Sequence, residues 1–251
     1  MTRAKRLQKD EIETIINLIK SGMSGMEIAR TSIATYNQIN EIKKKYGLTQ
    51  KQNLQFDFNS VQEQILISGK LGDGNYKKNG QFGYFYRESH AEHEYEYLLW
   101  KSQILGEDII NKSDIYNIKN GGYSKGLDKN YFGFSTKTSR SFAKYANMSK
   151  KEAISKLNLF GLILFILDDG WKVRETKTGV KLCISSGELN NEELDLIINK
   201  FKEFGICNVI KIGKRKDLSI PTKYSAILFE HITKYIPKDT DIIQKKFSFF
   251  I

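Results

Sequence analysis

Two apolar runs stand out from a chain that otherwise alternates polar and apolar positions over short stretches. Residues 66–74 read LISGKLGDG and residues 162–170 read LILFILDDG. The longest apolar stretch, Leu157 to Leu167, holds Asn158 and is far shorter than the ~20 residues that cross a bilayer. Each run predicts a buried helix that ends in Asp-Gly. Asp73 and Asp169 are 96 residues apart (169 − 73). The pattern around them repeats as helix, strands, helix, strands, short helix. Ser89-His90-Ala91-Glu92 and Ser185-Ser186-Gly187-Glu188 predict capping boxes that open two acidic helices, which end near Gly106 and Gly205. Ile118-Lys119-Asn120-Gly121 matches Ile210-Lys211-Ile212-Gly213, and Thr136-Lys137-Thr138-Ser139 matches Thr222-Lys223-Tyr224-Ser225. Their shared order predicts a duplicated unit of about 90 residues, placed at 61–150 and 151–251.

The first 50 residues follow a different rhythm. Ile12, Ile15, Ile16 and Ile19 recur at helical spacing, and Ser21-Gly22-Met23-Ser24-Gly25 interrupts them. Met26 to Arg30 and Ala34 to Tyr46 predict two further helices, the last stopped by Gly47. Residues 1–50 thus form a small all-α unit, joined by a polar linker at 51–60. The unit resembles a helix-turn-helix. Ala29, Ile39 and Ile42 fall on its inner face, and Tyr36, Asn37, Gln38, Lys43 and Lys44 on or near its exposed second helix. Ile33 stands where that motif usually has glycine, and a plain helical cap is the alternative.

Helix ends give the two runs their chemistry. Gly69 and Gly72 share a face on which a second helix can pack closely. Gly74 and Gly170 suit the left-handed position that follows a helix. The carboxylate before each glycine sits at the negative end of the helix dipole, a poor place for an anion unless a cation offsets it. Two such helices side by side would pair their carboxylates, an arrangement that holds divalent metal for phosphodiester chemistry. Asp-Gly is also an ordinary turn; its duplicate placement favours the functional reading.

Composition narrows the partners. Forty Lys and Arg face 29 Asp and Glu, a net charge of +11. That charge attracts a polyanion, either nucleic acid or an anionic membrane. Cys183 and Cys207 form no CxxC pair, and the N-terminus has no signal-peptide core. The expectation is a soluble protein in a reducing interior, cytoplasmic or organellar and not secreted. His90 and His93 lack a third ligand at a recognised spacing, and His231 is isolated. There is no Walker loop and no GxSxG, and Gly72-Asp73-Gly74 lacks the rest of a dinucleotide fingerprint. The absence of a terminal His-Asn splice signature argues against an intein.

From Ser60 to Ile251 the chain resembles the LAGLIDADG homing endonucleases, in the branch with two motifs on one chain. The first motif is Ile65 to Gly74 and the second Leu162 to Gly170. The flanks agree: Ser89-His90, Glu94-Tyr95, Tyr97-Leu98 and Trp100-Lys101 after the first motif, then Leu182-Cys183-Ile184-Ser185-Ser186 and Tyr235-Ile236-Pro237. Lys70 and Phe165 depart from the motif pattern without touching the acidic position.

The resemblance implies an α+β fold of two αββαββα repeats, related by a pseudo-twofold axis and forming a saddle along DNA. The motif helices would form the interface. Asp73 and Asp169 would bind Mg²⁺, with Mn²⁺ able to substitute, and would activate water, one on each strand. Asp168 would be helix-end structure. Lys119 and Lys211 are candidates for a place beside the scissile phosphates, with solvated strand ends as the alternative. The sheet residues Asn75, Tyr76, Lys77, Lys78, Gln81 and Tyr84 are candidate DNA contacts. So are Trp171, Lys172, Arg174, Lys177 and Lys181, then Lys214, Arg215 and Lys216, with Tyr36, Gln38, Lys43 and Lys44 in the N-terminal unit. Lysines would meet phosphates, and Asn, Gln and Arg would read base edges. The implied activity is that of a monomeric endonuclease hydrolysing both strands of a long asymmetric double-stranded DNA site, its gene in or beside a mobile intron. The alternative is a nucleic-acid binder of the same fold that dispenses with catalysis, either a maturase for its host intron RNA or a transcriptional regulator. Neither reading involves a membrane.

Overall fold

The computed structural model describes residues 7–21, 23, 25–46, 48, 54–80, 83–111, 115–117, 130–177, 179–185, 189–214 and 217–251, the side chains of 174–176 excepted. The chain divides into two units, Met1–Gln52 and Asn53–Ile251.

The first unit has three helices, α1 (Lys9–Lys20), α2 (Gly25–Thr31) and α3 (Tyr36–Lys45). Their apolar stripes meet in a core of Ile15, Ile19, Ile28, Ala34, Ile39 and Ile42. Thr35 opens α3 by accepting from the Gln38 amide at 3.3 Å, while the Gln38 side chain accepts from the Thr35 amide at 2.9 Å. This reciprocal cap explains why α3 starts two residues after the predicted Ala34. Ile33 lies in the turn between α2 and α3 and is 63% exposed.

The second unit opens with residues 54–59, which were expected to be linker. They are instead fastened to it. The Leu54 carbonyl accepts from Ser139 Oγ, and the Phe56 amide donates to Ser141 Oγ at 2.8 Å. Phe56 and Phe58 pack on Phe142. The polar residues of this stretch masked two aromatic anchors.

The first repeat runs α4 (Ser60–Leu71), β1 (Asn75–Lys78), β2 (Tyr84–Ala91), α5 (Tyr95–Leu105), β3 (Tyr116–Asn117), β4 (Tyr131–Ser135), α6 (Ala143–Ala146) and α7 (Lys150–Lys156). The second runs α8 (Leu159–Asp169), β5 (Gly170–Thr176), β6 (Gly179–Ile184), α9 (Asn191–Glu203), β7 (Ile210–Ile212), β8 (Asp217–Ile220), α10 (Ser225–Ile232) and α11 (Asp241–Phe247). Each repeat holds a four-stranded antiparallel sheet, in the order β1-β2-β4-β3 and β5-β6-β8-β7. The duplication extends to register. Asn75 pairs Arg87 and Tyr76 pairs Tyr86; 96 residues on, Trp171 pairs Cys183 and Lys172 pairs Leu182. The sheets diverge at an irregularity between Lys172 and Arg174. The duplicated serines also hold: the Tyr84 amide donates to the Ser139 carbonyl at 3.0 Å, and the Val180 amide to Ser225 Oγ at 3.1 Å.

The motif helices occupy the centre. Every residue of α8 from Phe160 to Leu167 is buried, and so is α4 from Gln64 to Gly69. One apolar core runs through both repeats. No helix among the described residues is long and apolar enough to cross a membrane.

The predicted capping boxes are corrected. Ser89 lies inside β2, opposite Gly133, and α5 begins only at Tyr95 after a single turn at Glu92–Glu94. The strand continues because Tyr86, Glu88 and His90 alternate inward to the end. The helix of the second repeat is opened by Asn190 with Glu193, which do form a capping box; residues 186–188 lie outside the described residues. Gly106 and Gly205 close their helices at φ +89° and +78°, where other residues are strained.

Candidate active site

The ends of α4 and α8 bring the two predicted carboxylates to one seam. Asp169 is the last residue of α8, and Asp73 lies in the turn after α4. Gly72 makes the approach possible. A Cβ there would stand 3.0 Å from Asp168 Cβ and 3.0 Å from Asp169 Oδ2. The other glycine expectations are corrected. Gly69 faces the Tyr86 phenol of its own sheet and not the second helix. The small residue that admits the other helix is Gly161, which Gln64 Oε1 covers. Gln64 then bridges to α7 and α8, accepting from the Asn158 amide at 3.0 Å and donating to the Lys156 carbonyl at 3.1 Å. Gly74 and Gly170 do not have positive φ. They are glycines because of crowding: a Cβ would strike the Tyr86 ring and the Gly69 carbonyl in one case, and the Ile166 carbonyl in the other.

The seam is electrostatically unbalanced. Burial first, and Asp168 second, push Asp73 up to about 6, against the pull of His90. Burial, Asp168 and Asp73 push Asp169 up to about 7. Like charges that share a partly desolvated site resist ionising together. A divalent cation removes that penalty, and carboxylate oxygens suit a hard ion such as Mg²⁺. The residues therefore fit the metal that the resemblance implies.

Behind Asp73 lies a buried polar network. Tyr86 Oη donates to Glu88 Oε2. Glu88 Oε1 accepts from Lys101 Nζ at 2.5 Å and is 2.7 Å from His90 Nε2. Lys101 donates also to Asp168 Oδ1 at 2.7 Å, and Tyr97 Oη donates to that same oxygen at 2.8 Å. His90 Nδ1 is 3.2 Å from Glu94 Oε2 and 3.6 Å from Asp73 Oδ2. Lys245 closes the set, donating to Glu94 Oε1 at 2.9 Å. Burial resists charge on Glu88, but Lys101 and His90 overcome it and hold the carboxyl at about 2. Burial likewise opposes His90, but Glu88 and Glu94 raise it to about 10. His90 therefore has carboxylate partners at both ring nitrogens, Glu88 at Nε2 and Glu94 at Nδ1. Its ligand atom lies within 4.8 Å of those of Asp73 and Asp168.

A second resident cation serves α8. Lys246 is buried and donates to the carbonyls of Ile166, at 3.1 Å, and Leu167. It satisfies helix-end carbonyls and offsets the negative end of the dipole. Burial pulls its ammonium down to about 8.

The remaining candidates are spread more widely. Lys211 does not reach the seam by its contacts: its ammonium pairs with Asp195 Oδ1 at 2.7 Å and donates to the Asn191 carbonyl at 3.2 Å, both on α9. Lys119, Gln81, Arg215 and Lys216 lie outside the described residues, as does the side chain of Arg174. Asn75, Lys77, Lys78, Trp171, Lys172, Lys177 and Lys214 are exposed on the sheets and their turns, and Lys181 is half-buried. Lys172 donates to Ser248 Oγ at 2.8 Å. Tyr76 turns inward instead of toward solvent; its hydroxyl donates to the Leu66 carbonyl at 2.7 Å and its ring stacks on Tyr145. Tyr84 is half-buried and donates to Asn147 Oδ1 at 3.1 Å. In the first unit Tyr36 and Lys44 are exposed, Lys43 is half-buried, and Gln38 is engaged in its cap.

Sequence reasoning passed over Glu88 and Lys246, weighed His90 for chemistry only as a metal ligand, and took Lys101 only as part of the family resemblance. One signal was present. The residues 96 positions beyond Glu88 and Lys101 are Ile184 and Ile197, both buried. Charged residues at duplicated core positions mark a buried pair.

Comparison with known proteins adds the family. Residues 63–228 match the sequence model of the LAGLIDADG DNA endonuclease family. Among solved structures, the chain is similar to the homing endonuclease I-WcaI bound to its DNA recognition sequence. That match has 20% identity and a TM-score of 0.60, covering 82% of this chain and 92% of the other. It is also similar to I-DmoI in complex with DNA and Ca, at 16% identity and a TM-score of 0.42, covering 72% and 96%. No curated protein matches the chain.

Proposed function

The chain belongs to the LAGLIDADG DNA endonuclease family, and from that premise we propose that it hydrolyses both strands of a long asymmetric double-stranded DNA site, as a single chain with divalent metal. The observation that carries this reading is the meeting of Asp73 and Asp169, one from each repeat, at a seam where Gly72 lets the helix ends approach and where burial, Asp168 and Asp73 raise the pKa of Asp169. A metal bound there would supply Lewis acidity and an activated water. Asp73 and Asp169 would hold it. The protein's own residues do the rest. Gly72 keeps the two helix ends close, and Lys101 and Tyr97 fix Asp168 beside them. Lys246 secures the end of α8, so the Asp169 backbone stays in place as charge changes around it. The exposed lysines and Asn75 on the sheets suit phosphate and base contacts.

The DNA to try first is the uninterrupted sequence left when the insertion that carries the gene is removed. Double-strand cutting is expected in Mg²⁺ and none in EDTA. Tight binding without cutting in either Mg²⁺ or Mn²⁺ would sink the nuclease reading.

The N-terminal unit lies outside residues 63–228 and has its own core. It presents Tyr36, Asn37 and Lys44 on the exposed side of α3, the position of a recognition helix. Its role is to extend the contacted site. Removal of residues 1–52 is expected to weaken DNA affinity by about tenfold, the loss of one or two phosphate or base contacts, and to leave cutting at saturating protein intact. Unchanged affinity in a binding titration would show a structural cap only.

A further inference from the structure

Asp168 carries an oxygen for which the described residues offer no donor. Its Oδ1 accepts from Lys101 and Tyr97. Its Oδ2 is buried and has no hydrogen-bond partner among the described residues, and the side chain is fully inaccessible. A buried carboxylate oxygen left in that state is costly. It needs a reason or a ligand.

The geometry around it points to the latter. The residue 96 positions earlier is Gly72, so the first repeat places no side chain where the second has a carboxylate. A Cβ on Gly72 would stand 3.3 Å from Asp168 Oδ2 and 3.0 Å from Asp169 Oδ2. Ligand oxygens of Asp73 and Asp168 lie within 4.8 Å of one another. Three carboxylates from two repeats thus border one gap. The nearby cations are committed elsewhere: Lys101 to Glu88 and Asp168 Oδ1, His90 to Glu88 and Glu94, Lys246 to the carbonyls of α8.

We propose that Asp168 is a third carboxylate ligand, binding a divalent cation through Oδ2 at the seam beside Gly72, in addition to Asp73 and Asp169. Lys101 and Tyr97 hold one oxygen, which orients the other before any ion arrives. Such preorganisation strengthens binding because the ligand is not ordered at the moment of capture. Only the second repeat supplies this group, so the site is asymmetric about the pseudo-twofold axis. The inference rests on the metal-dependent reading above.

The test is a titration of metal-stripped full-length protein with Mn²⁺ alone, reading free Mn²⁺ by electron paramagnetic resonance, without DNA and without turnover. Asp168→Asn keeps acceptors for Lys101 and Tyr97 but weakens the ligand. It is expected to lower Mn²⁺ affinity at least about tenfold. Gly72→Ala removes no charge yet places a methyl against both oxygens, and it is expected to weaken binding as well. That variant reports on the seam as a whole, since the methyl meets Asp169 as well as Asp168; if Asp168→Asn does not fold, the triple variant Glu88→Gln, Lys101→Met, Asp168→Asn, which removes the buried ion set together, is titrated in its place. Asp73→Asn and Asp169→Asn complete the set. If those two weaken binding while Asp168→Asn stays within twofold of wild type, the third ligand is refuted and the two-carboxylate site stands. If none of the four changes Mn²⁺ binding, the metal reading of the seam fails with it.

Discussion

Asp169→Asn is expected to cut one strand of the target about a thousandfold more slowly while DNA affinity stays within a few fold. The magnitude follows from charge stabilisation by a metal worth several kcal/mol, at 1.36 kcal/mol per tenfold in rate. Asp73→Asn is expected to do the same to the other strand. Strand-labelled duplexes would show a nick from each variant. Equal slowing of both strands by each variant would mean one shared centre and not one acid per strand.

The same substitution has a thermodynamic signature that needs no DNA. In the metal-free protein Asp169 is raised to about 7 from an ordinary 3.8, by burial and by Asp168 and Asp73. The native state then binds a proton that the unfolded chain has already released. The contribution of this group to stability is therefore fullest below about pH 4 and declines as pH rises toward 7. The loss at neutral pH is about 2 kcal/mol after solvent screening is taken into account. Asp169→Asn removes it. The variant is expected to melt above wild type at pH 7.5 in EDTA, to match it near pH 4, and to lose its advantage when Mg²⁺ is added to both. A melting temperature that is lower at both pH values would show that the carboxylate is structural.

Lys101→Met is expected to destabilise the protein by about 3–5 kcal/mol, the usual cost of removing one member of a buried ion set. Lys101 is fully buried and is the cation between Glu88 and Asp168. Its loss leaves two carboxylates in an apolar interior, beside Asp73 and Asp169. Neutralising the set together, as Glu88→Gln, Lys101→Met and Asp168→Asn, is expected to recover most of that stability. The buried charge would then be gone, not stranded, and the three changes should be far from additive. Urea unfolding monitored by circular dichroism would measure both. A cost below 1 kcal/mol for Lys101→Met would mean that water reaches the network, or that the carboxyls take up protons instead.

Much of this architecture was legible in the chain. Asp73 and Asp169, the order of elements around them and the three N-terminal helices follow from periodicity and from a fixed offset, and both are properties of sequence alone. The β1–β2 and β5–β6 registers match at the same 96-residue displacement. An 11-residue α8 ending in Asp169 before Gly170 needed only an apolar run and a stop, and the 12-residue α4 follows from the matching Asp-Gly 96 residues earlier.

What escaped depended on which faces meet. Tyr76 lies in a strand rich in lysine, yet its hydroxyl turns back onto the Leu66 carbonyl. Gly74 and Gly170 carry a turn signature, but crowding by Tyr86 and the Ile166 carbonyl is what excludes a side chain. Asp168 sits at a helix end, yet its partner Lys101 is 67 residues away in the other repeat, and Lys246 reaches α8 from 80 residues on. Local pattern fixes dihedral preference and the apolar face, because those depend on neighbours a few positions apart. The state of a buried charge depends on the groups that surround it in space. The sequence by itself therefore determined the duplicated fold and its two acids. Only the packed structure decided which charged groups surround those acids, and which carboxylate oxygen beside them has no donor among the described residues.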